Sequence, residues 1–252
     1  MKACVVKSMG TLVSLTSPDA PAPGALAAMA RTLADIEAVF STWDPKSPMS
    51  KLRAGRTDIS ELPRAQAAQV THVLDRCRLA RELTSGAFDP WAMPGGLDPT
   101  GLVKGWAAMQ ALAAVRAVGQ TTVMVNAGGD IATSPLPDGG PWRVGVRHPW
   151  QPTALLGVIG VTGAIATSGT YERPGQLFEP GTGRVVGGPV SATVTGPDLD
   201  LADALATGLA VGGGSVLRAI EAMDGYEALL VATDGLCYGT PGLALLDRPD
   251  VT

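Results

Sequence analysis

Aromatic residues are scarce, with three Phe, three Tyr and five Trp in 252 residues, and the formal net charge is −4 with no basic run. A phosphate backbone demands clustered Lys or Arg, so these shortages argue against a nucleic-acid partner. Cys4, Cys77 and Cys237 are odd in number, far apart and in no ligand spacing. They read as reduced core thiols in a reducing compartment. The two histidines, His72 and His148, have no second His or Cys nearby, which argues against zinc. Neither a Gly-x-Ser-x-Gly turn nor a P-loop occurs. No segment approaches the ~18 apolar residues of a membrane span. The first residues lack the apolar run of ~7–15 that a secretory signal needs, and nothing before Cys4 supports a lipid anchor. The expectation is a cytoplasmic protein with no membrane anchor.

What is present is an apolar chain, 46% hydrophobic with 32 glycines, long enough for a full core. Short β-type runs at 3–7 and 11–16 flank Met9-Gly10 as a hairpin. Apolar residues recur at helical spacing over 25–40 and 64–83, the second helix stopping at Gly86. Further helices are expected over 103–118 and 201–211. Strands are expected at 123–125, 142–146, 155–161, 190–195 and 229–232, and 41–52 reads as a polar loop. Helices and strands alternate irregularly with several hairpin-like pairs, which favours an α+β fold over a doubly wound parallel sheet.

Three clusters stand out. From Ser85 to Trp106, Asp89 and Asp98 are each followed by proline and set among glycines, with Lys104 six residues past the second Asp. Glycine lets backbone approach a ligand, and proline fixes the turns that present it; two ordinary Asp-Pro turns would look the same. Asn126-Ala127-Gly128-Gly129-Asp130 follows a buried strand. It offers either backbone N–H groups to a phosphate or flavin edge, or a tight strand turn. Asp203 and Thr207 lie one turn apart on one helix face, as hard oxygen ligands suited to Mg²⁺ or Ca²⁺. Equally, an Asp there favours the helix dipole and a Thr bonds its own i−4 carbonyl.

Taken together and in order, these stretches resemble the ApbE family of FAD:protein FMN transferases. The matching pieces are Ser8-Met9-Gly10-Thr11, the loop from Ser41-Thr42-Trp43 to Leu52, Ser85-Gly86-Ala87-Phe88-Asp89-Pro90, and Asp98 to Trp106. Asn126 to Asp130, Ala166 to Arg173, Glu179 to Gly183 and Ala202 to Thr207 follow. The resemblance implies one ApbE-like, T-fold-related domain over 1–252, with mixed sheets, packed helices and a site in a cleft between lobes. It implies FAD as substrate, Mg²⁺ (or Ca²⁺) as cofactor, and a partner flavoprotein with a target Ser or Thr that takes FMN while AMP leaves. It places metal ligands at Asp203, Thr207 and the carbonyl of Gly101. Flavin or nucleotide contacts fall on Met9, Trp43, Ala87, Phe88, Asp89, Asp98, Lys104 and Gln176. Asp98 and Asp203 take the catalytic roles, Asp98 by orienting or deprotonating the incoming hydroxyl. Two departures are visible. Gln176 stands where the family usually has His, and the serine loop ends in Leu52-Arg53 rather than Leu/Phe-Asn. They leave open hydrolysis of FAD to FMN and AMP, and a non-catalytic FAD-binding role.

Overall fold

The computed structural model describes residues 1–171, 175, 177–187 and 190–247. The N-terminal hairpin pairs β1 (Lys2–Ser8) with β2 (Thr11–Ser17). Met9 and Gly10 both adopt positive φ, 52° and 70°, at its turn. Such a turn matches the right-handed twist of the strands it joins. The chain then forms α1 (Ala25–Phe40), whose Met29, Leu33, Ile36 and Phe40 are buried along one stripe. The segment expected to be a loop contains a short helix, α2 (Pro48–Arg53). Ser47 caps it by accepting from Ser50 N, and Pro48 occupies its first turn, where a missing N–H costs nothing. Helix α3 (Arg64–Leu83) ends as expected, with Gly86 at φ 84° donating its N–H to Arg81 O.

Helix α4 (Thr100–Ala117) begins three residues before the expected start, because Asp98 bonds both the backbone and hydroxyl of Thr100. Then come β3 (Met124–Ala127), β4 (Asp130–Thr133), β5 (Trp142–Arg147), β6 (Leu155–Val161), β7 (Ala164–Gly169), β8 (Phe178–Glu179), β9 (Arg184–Val185) and β10 (Ser191–Gly196). Helices α5 (Leu199–Gly212) and α6 (Gly214–Glu221) precede β11 (Glu227–Val231), β12 (Cys237–Gly239) and β13 (Leu245–Asp247). Strand β4 and the elements α6, β8, β9, β12 and β13 had no counterpart in the sequence reading. Most of these are two to four residues long, too short for periodicity to register.

Eight strands form one sheet in the order β1-β2-β3-β4-β7-β10-β11-β12, every neighbouring pair antiparallel. This is the α+β arrangement expected. A second sheet, β13-β6-β5, covers a small core of Ile131, Trp142, Val146, Ile159, Val161 and Ile165. The main core runs from Val13 to Leu230 and takes in α1, α3, α4 and α5. Helix α4 packs on α1 and on α5, while α5 lies against β7 and β10. The cysteines are only partly core thiols. Cys77 is buried, but Cys4 is half-buried and Cys237 exposed, since both lie on outer strands of the large sheet.

Candidate active site

The close crossing of α4 and α5 is what assembles the site. A Cβ on Gly105 would sit 2.5 Å from Leu199 O and 2.9 Å from Leu199 C, so only glycine lets α4 approach the start of α5 this closely. Across that crossing Gly105 N donates to Asp203 Oδ2 at 3.1 Å. Asp203 is 3% exposed and sits in the second turn of α5, past the reach of the helix N-terminal dipole. Asp200 holds the first-turn place instead. It receives Arg76 from α3 bidentately, Nε to Oδ2 at 2.7 Å and Nη2 to Oδ1 at 2.8 Å, while Asp198 takes Nη2 at 3.2 Å. This network ties α3 to the start of α5 and so fixes where Asp203 falls.

Burial, and then the nearby charge of Asp130, push the Asp203 carboxyl well above the usual carboxylate range; Lys104 and the Gly105 N–H act against that shift. Asp130 opens β4 and is itself 1% exposed. Its Oδ1 accepts from Thr167 N at 3.2 Å, and Lys104 Nζ lies 2.5 Å from its Oδ2. That contact is an ion pair and not an aligned hydrogen bond, because Oδ2 meets no donor of good geometry among the described residues. Two buried carboxylates therefore face one lysine. One turn beyond Asp203, Thr207 Oγ1 meets Ser168 Oγ of β7 at 3.0 Å. A Cβ on Gly101 would come within 3.7 Å of the same Thr207 oxygen, which brings the first turn of α4 to this spot.

These residues suit a hard divalent cation. A carboxyl group, a hydroxyl and a backbone carbonyl are the oxygen donors such an ion takes, and a bound cation would favour the ionised form that burial and Asp130 disfavour at Asp203. No group of three or more His, Cys, Asp or Glu side chains that could hold a metal occurs among the described residues.

The remaining expected residues divide. Asp98 lies beside the site at the start of α4, its Oδ2 3.0 Å from Arg53 Nη1. Ala87 and Phe88 are near: the Phe88 ring is 5% exposed and would lie 3.3 Å from a Cβ on Gly101, so it is chiefly packing under α4. Asp89 accepts from Trp91 N at 2.9 Å and pairs with Arg81 at 2.6 Å, which makes it a turn residue with both oxygens engaged. Met9 donates its N–H to Glu37 Oε2 at 2.9 Å. Trp43 is 93% exposed in the loop after α1. No hydrogen bond or ion pair ties Met9 or Trp43 to the Asp203 cluster among the described residues. Gln176 lies outside the described residues, as do Glu172 and Arg173 of the Ala166–Arg173 motif. The Gly128-Gly129 pair is the tight turn and not a phosphate cradle. Gly128 N donates to Leu12 O and Gly129 N to Asn126 Oδ1, so both N–H groups are used internally. The chemistry of that cluster rests on Asp130.

Gly105, Ser168 and Arg53 join the site through tertiary contacts alone. Ser168 and Gly105 sit inside the quoted motifs, and Arg53 is visible in sequence only as a departure from the family pattern.

The ApbE family model matches residues 9–95 and 92–230. The chain belongs to the ApbE family. It is 35% identical over 161 residues to an FAD:protein FMN transferase of Rhodobacter capsulatus, a match covering 58% of this chain and 30% of that protein. It is 28% identical over 156 residues to the FAD:protein FMN transferase of Escherichia coli K12, covering 57% and 44%. The matched region thus spans less than half the length of either relative. Among solved structures, the fold is similar to the ApbE protein of Thermotoga maritima, with a TM-score of 0.81, 23% identity, and 95% and 97% of the two chains covered. It is also similar to the flavin transferase ApbE of Vibrio cholerae, with a TM-score of 0.75, 24% identity, and 95% and 97% covered.

Proposed function

We propose that this chain transfers the FMN moiety of FAD to a Ser or Thr hydroxyl of a target protein, with Mg²⁺ or Ca²⁺ held by Asp203, Thr207 and the Gly101 carbonyl. The observation that carries this reading is the buried cluster in which Asp203 and Asp130 face a single Lys104 beside Thr207 and Gly101. Membership of a family whose named relatives are FAD:protein FMN transferases supports the substrate. When bound, the cation offsets charge on the pyrophosphate oxygens.

The residues of the chain do the rest. Lys104, 34% exposed at its side chain, sits at the mouth of the cluster and supplies a fixed positive charge for a phosphate oxygen. Trp43 offers an uncovered aromatic face for stacking of the flavin, with Met9 and the 87–89 turn as further contacts. Asp98 stands at the head of α4 as the carboxylate that orients the acceptor hydroxyl and takes its proton. The acceptor oxygen forms a bond to the FMN phosphorus, the bridging P–O bond of the pyrophosphate breaks, and AMP leaves with the bridging oxygen. No helix among the described residues is long and apolar enough to cross a membrane, and Cys4, Cys77 and Cys237 are free thiols. Free thiols support a reducing, cytoplasmic setting.

The test incubates the pure protein with FAD, Mg²⁺ and a peptide bearing an acceptor Thr. Covalently yellow peptide with stoichiometric AMP is the expected result. Free FMN with AMP assigns the chain to hydrolysis, and tight FAD binding without AMP assigns it to binding alone.

A further inference from the structure

Arg53 closes α2 and reaches the irregular segment between Asp89 and Asp98. Its Nε donates to Gly95 O at 2.8 Å, Nη2 to Pro94 O at 2.5 Å and Nη1 to Asp98 Oδ2 at 3.0 Å. One planar fork thus satisfies three acceptors on the same segment, which a point-like ammonium cannot do. Its base is rigid: the Ser47 and Ser50 hydroxyls both donate to Ser41 O, at 2.5 and 2.9 Å, anchoring α2 to the end of α1. The segment it holds is otherwise tied mainly within itself, by Ala92 N to Asp89 O at 3.2 Å and Gly96 N to Met93 O at 2.9 Å. Gly95 and Gly96 sit at φ 81° and 95°, and the loop closes through Asp98 N to Pro90 O at 2.8 Å.

The far end of that segment is Asp98. Its Oδ1 accepts from Thr100 N at 3.1 Å and from Thr100 Oγ1 at 2.6 Å, and its Oδ2 takes Arg53. An ionised carboxylate offers about four acceptor sites. Three are filled among the described residues, so the remaining one lies on Oδ2, in a direction set by Arg53. Gly101 follows in the first turn of α4, and Lys104 begins the second.

We propose that Arg53 is a positioning residue for the transfer step. It aims the last acceptor site of Asp98 at the incoming hydroxyl and fixes the register at which α4 presents the Gly101 carbonyl. This rests on the transfer reading given above. A shorter side chain at this position cannot span the same three acceptors.

The test compares wild type, Arg53→Ala and Arg53→Lys in AMP release and in amide hydrogen exchange of residues 91–98. Arg53→Ala is expected to lower turnover about 10- to 100-fold, the scale of a misplaced reacting group. The KM for FAD stays within about threefold, because the lost interaction acts in the transition state. Added guanidinium ion restores part of the turnover of Arg53→Ala and leaves Arg53→Lys low. Exchange over 91–98 quickens in both variants. Wild-type turnover in Arg53→Ala, or unchanged exchange in either variant, overturns the proposal. If Arg53→Ala does not fold, Arg53→Lys carries the same two readouts. A wild-type protein that binds FAD yet releases no AMP overturns the transfer reading instead, and exchange alone then decides the clasp.

Discussion

Gly105→Ala sets two effects of opposite sign against each other. Inside a helix, Ala is favoured over Gly by about 1 kcal/mol, so propensity alone predicts a stabler protein. Packing predicts the reverse. The new Cβ would stand 2.5 Å from Leu199 O, 2.9 Å from Leu199 C and 3.1 Å from Asp200 Cα, all backbone atoms that no rotamer can move. Reaching ordinary contact at 3.4 Å means separating α4 from the start of α5 by about 0.9 Å. Overpacking of this kind costs about 1–3 kcal/mol, and the absence of any yielding side chain places it at the upper end. The net expectation is a loss of about 1–2 kcal/mol, read as a fall in Tm of roughly 2–8 °C for a chain of this size. Activity suffers more. The same movement pulls Gly105 N from Asp203 Oδ2, and an error of that size at a reacting centre costs about 100-fold in AMP release. A Tm at or above wild type would refute the packing account. Wild-type turnover in a destabilised variant would refute the link from the helix crossing to Asp203.

Four further outcomes concern side chains on α3 and α5. Asp203→Asn should abolish AMP release while leaving the metal-free protein as stable or stabler, since burial and Asp130 both oppose the charged carboxylate; a lower metal-free Tm counts against this. Arg76→Ala leaves Asp200, 3% exposed, without its bidentate partner and should cost about 3–5 kcal/mol in urea unfolding; a loss under 1 kcal/mol would contradict the role of that pair. Cys77, its thiol pushed up to about 12 by burial, should resist thiol reagents in the native protein while exposed Cys237 reacts at once. Because the folded state keeps the Cys77 proton that the unfolded chain loses above about pH 9, stability should fall from there towards pH 12. The slope is up to about 1.4 kcal/mol per pH unit, and Cys77→Ala should flatten it.

Periodicity was enough for the long elements. The helices over 25–40 and 64–83 match their expected limits, because a one-sided apolar stripe and a positive-φ glycine are local features. Strand pairing was not local. Strand β4 is only four residues long; it turns back on β3 at once, but its other neighbour, β7, pairs Ile131 with Ile165 and Ala132 with Ala164, far along the chain. The short helix α2 escaped because its Ser47 cap and Pro48 start look like turn residues until the Ser50 N–H is seen to close on Ser47.

The same division runs through the site. The sequence alone determined the helix spacing of Asp203 and Thr207, the order of the motifs and hence the family, since spacing within one helix and chain order do not require a fold. Only tertiary structure decided that Asp130 faces Lys104, that Ser168 meets Thr207, and that Asp89 is a turn residue while Asp98 is clasped by Arg53. Each of those contacts joins side chains brought together by packing or by a loop closing on itself. Their charge and hydrogen-bond state is set by what else is buried beside them, which no spacing along the chain records.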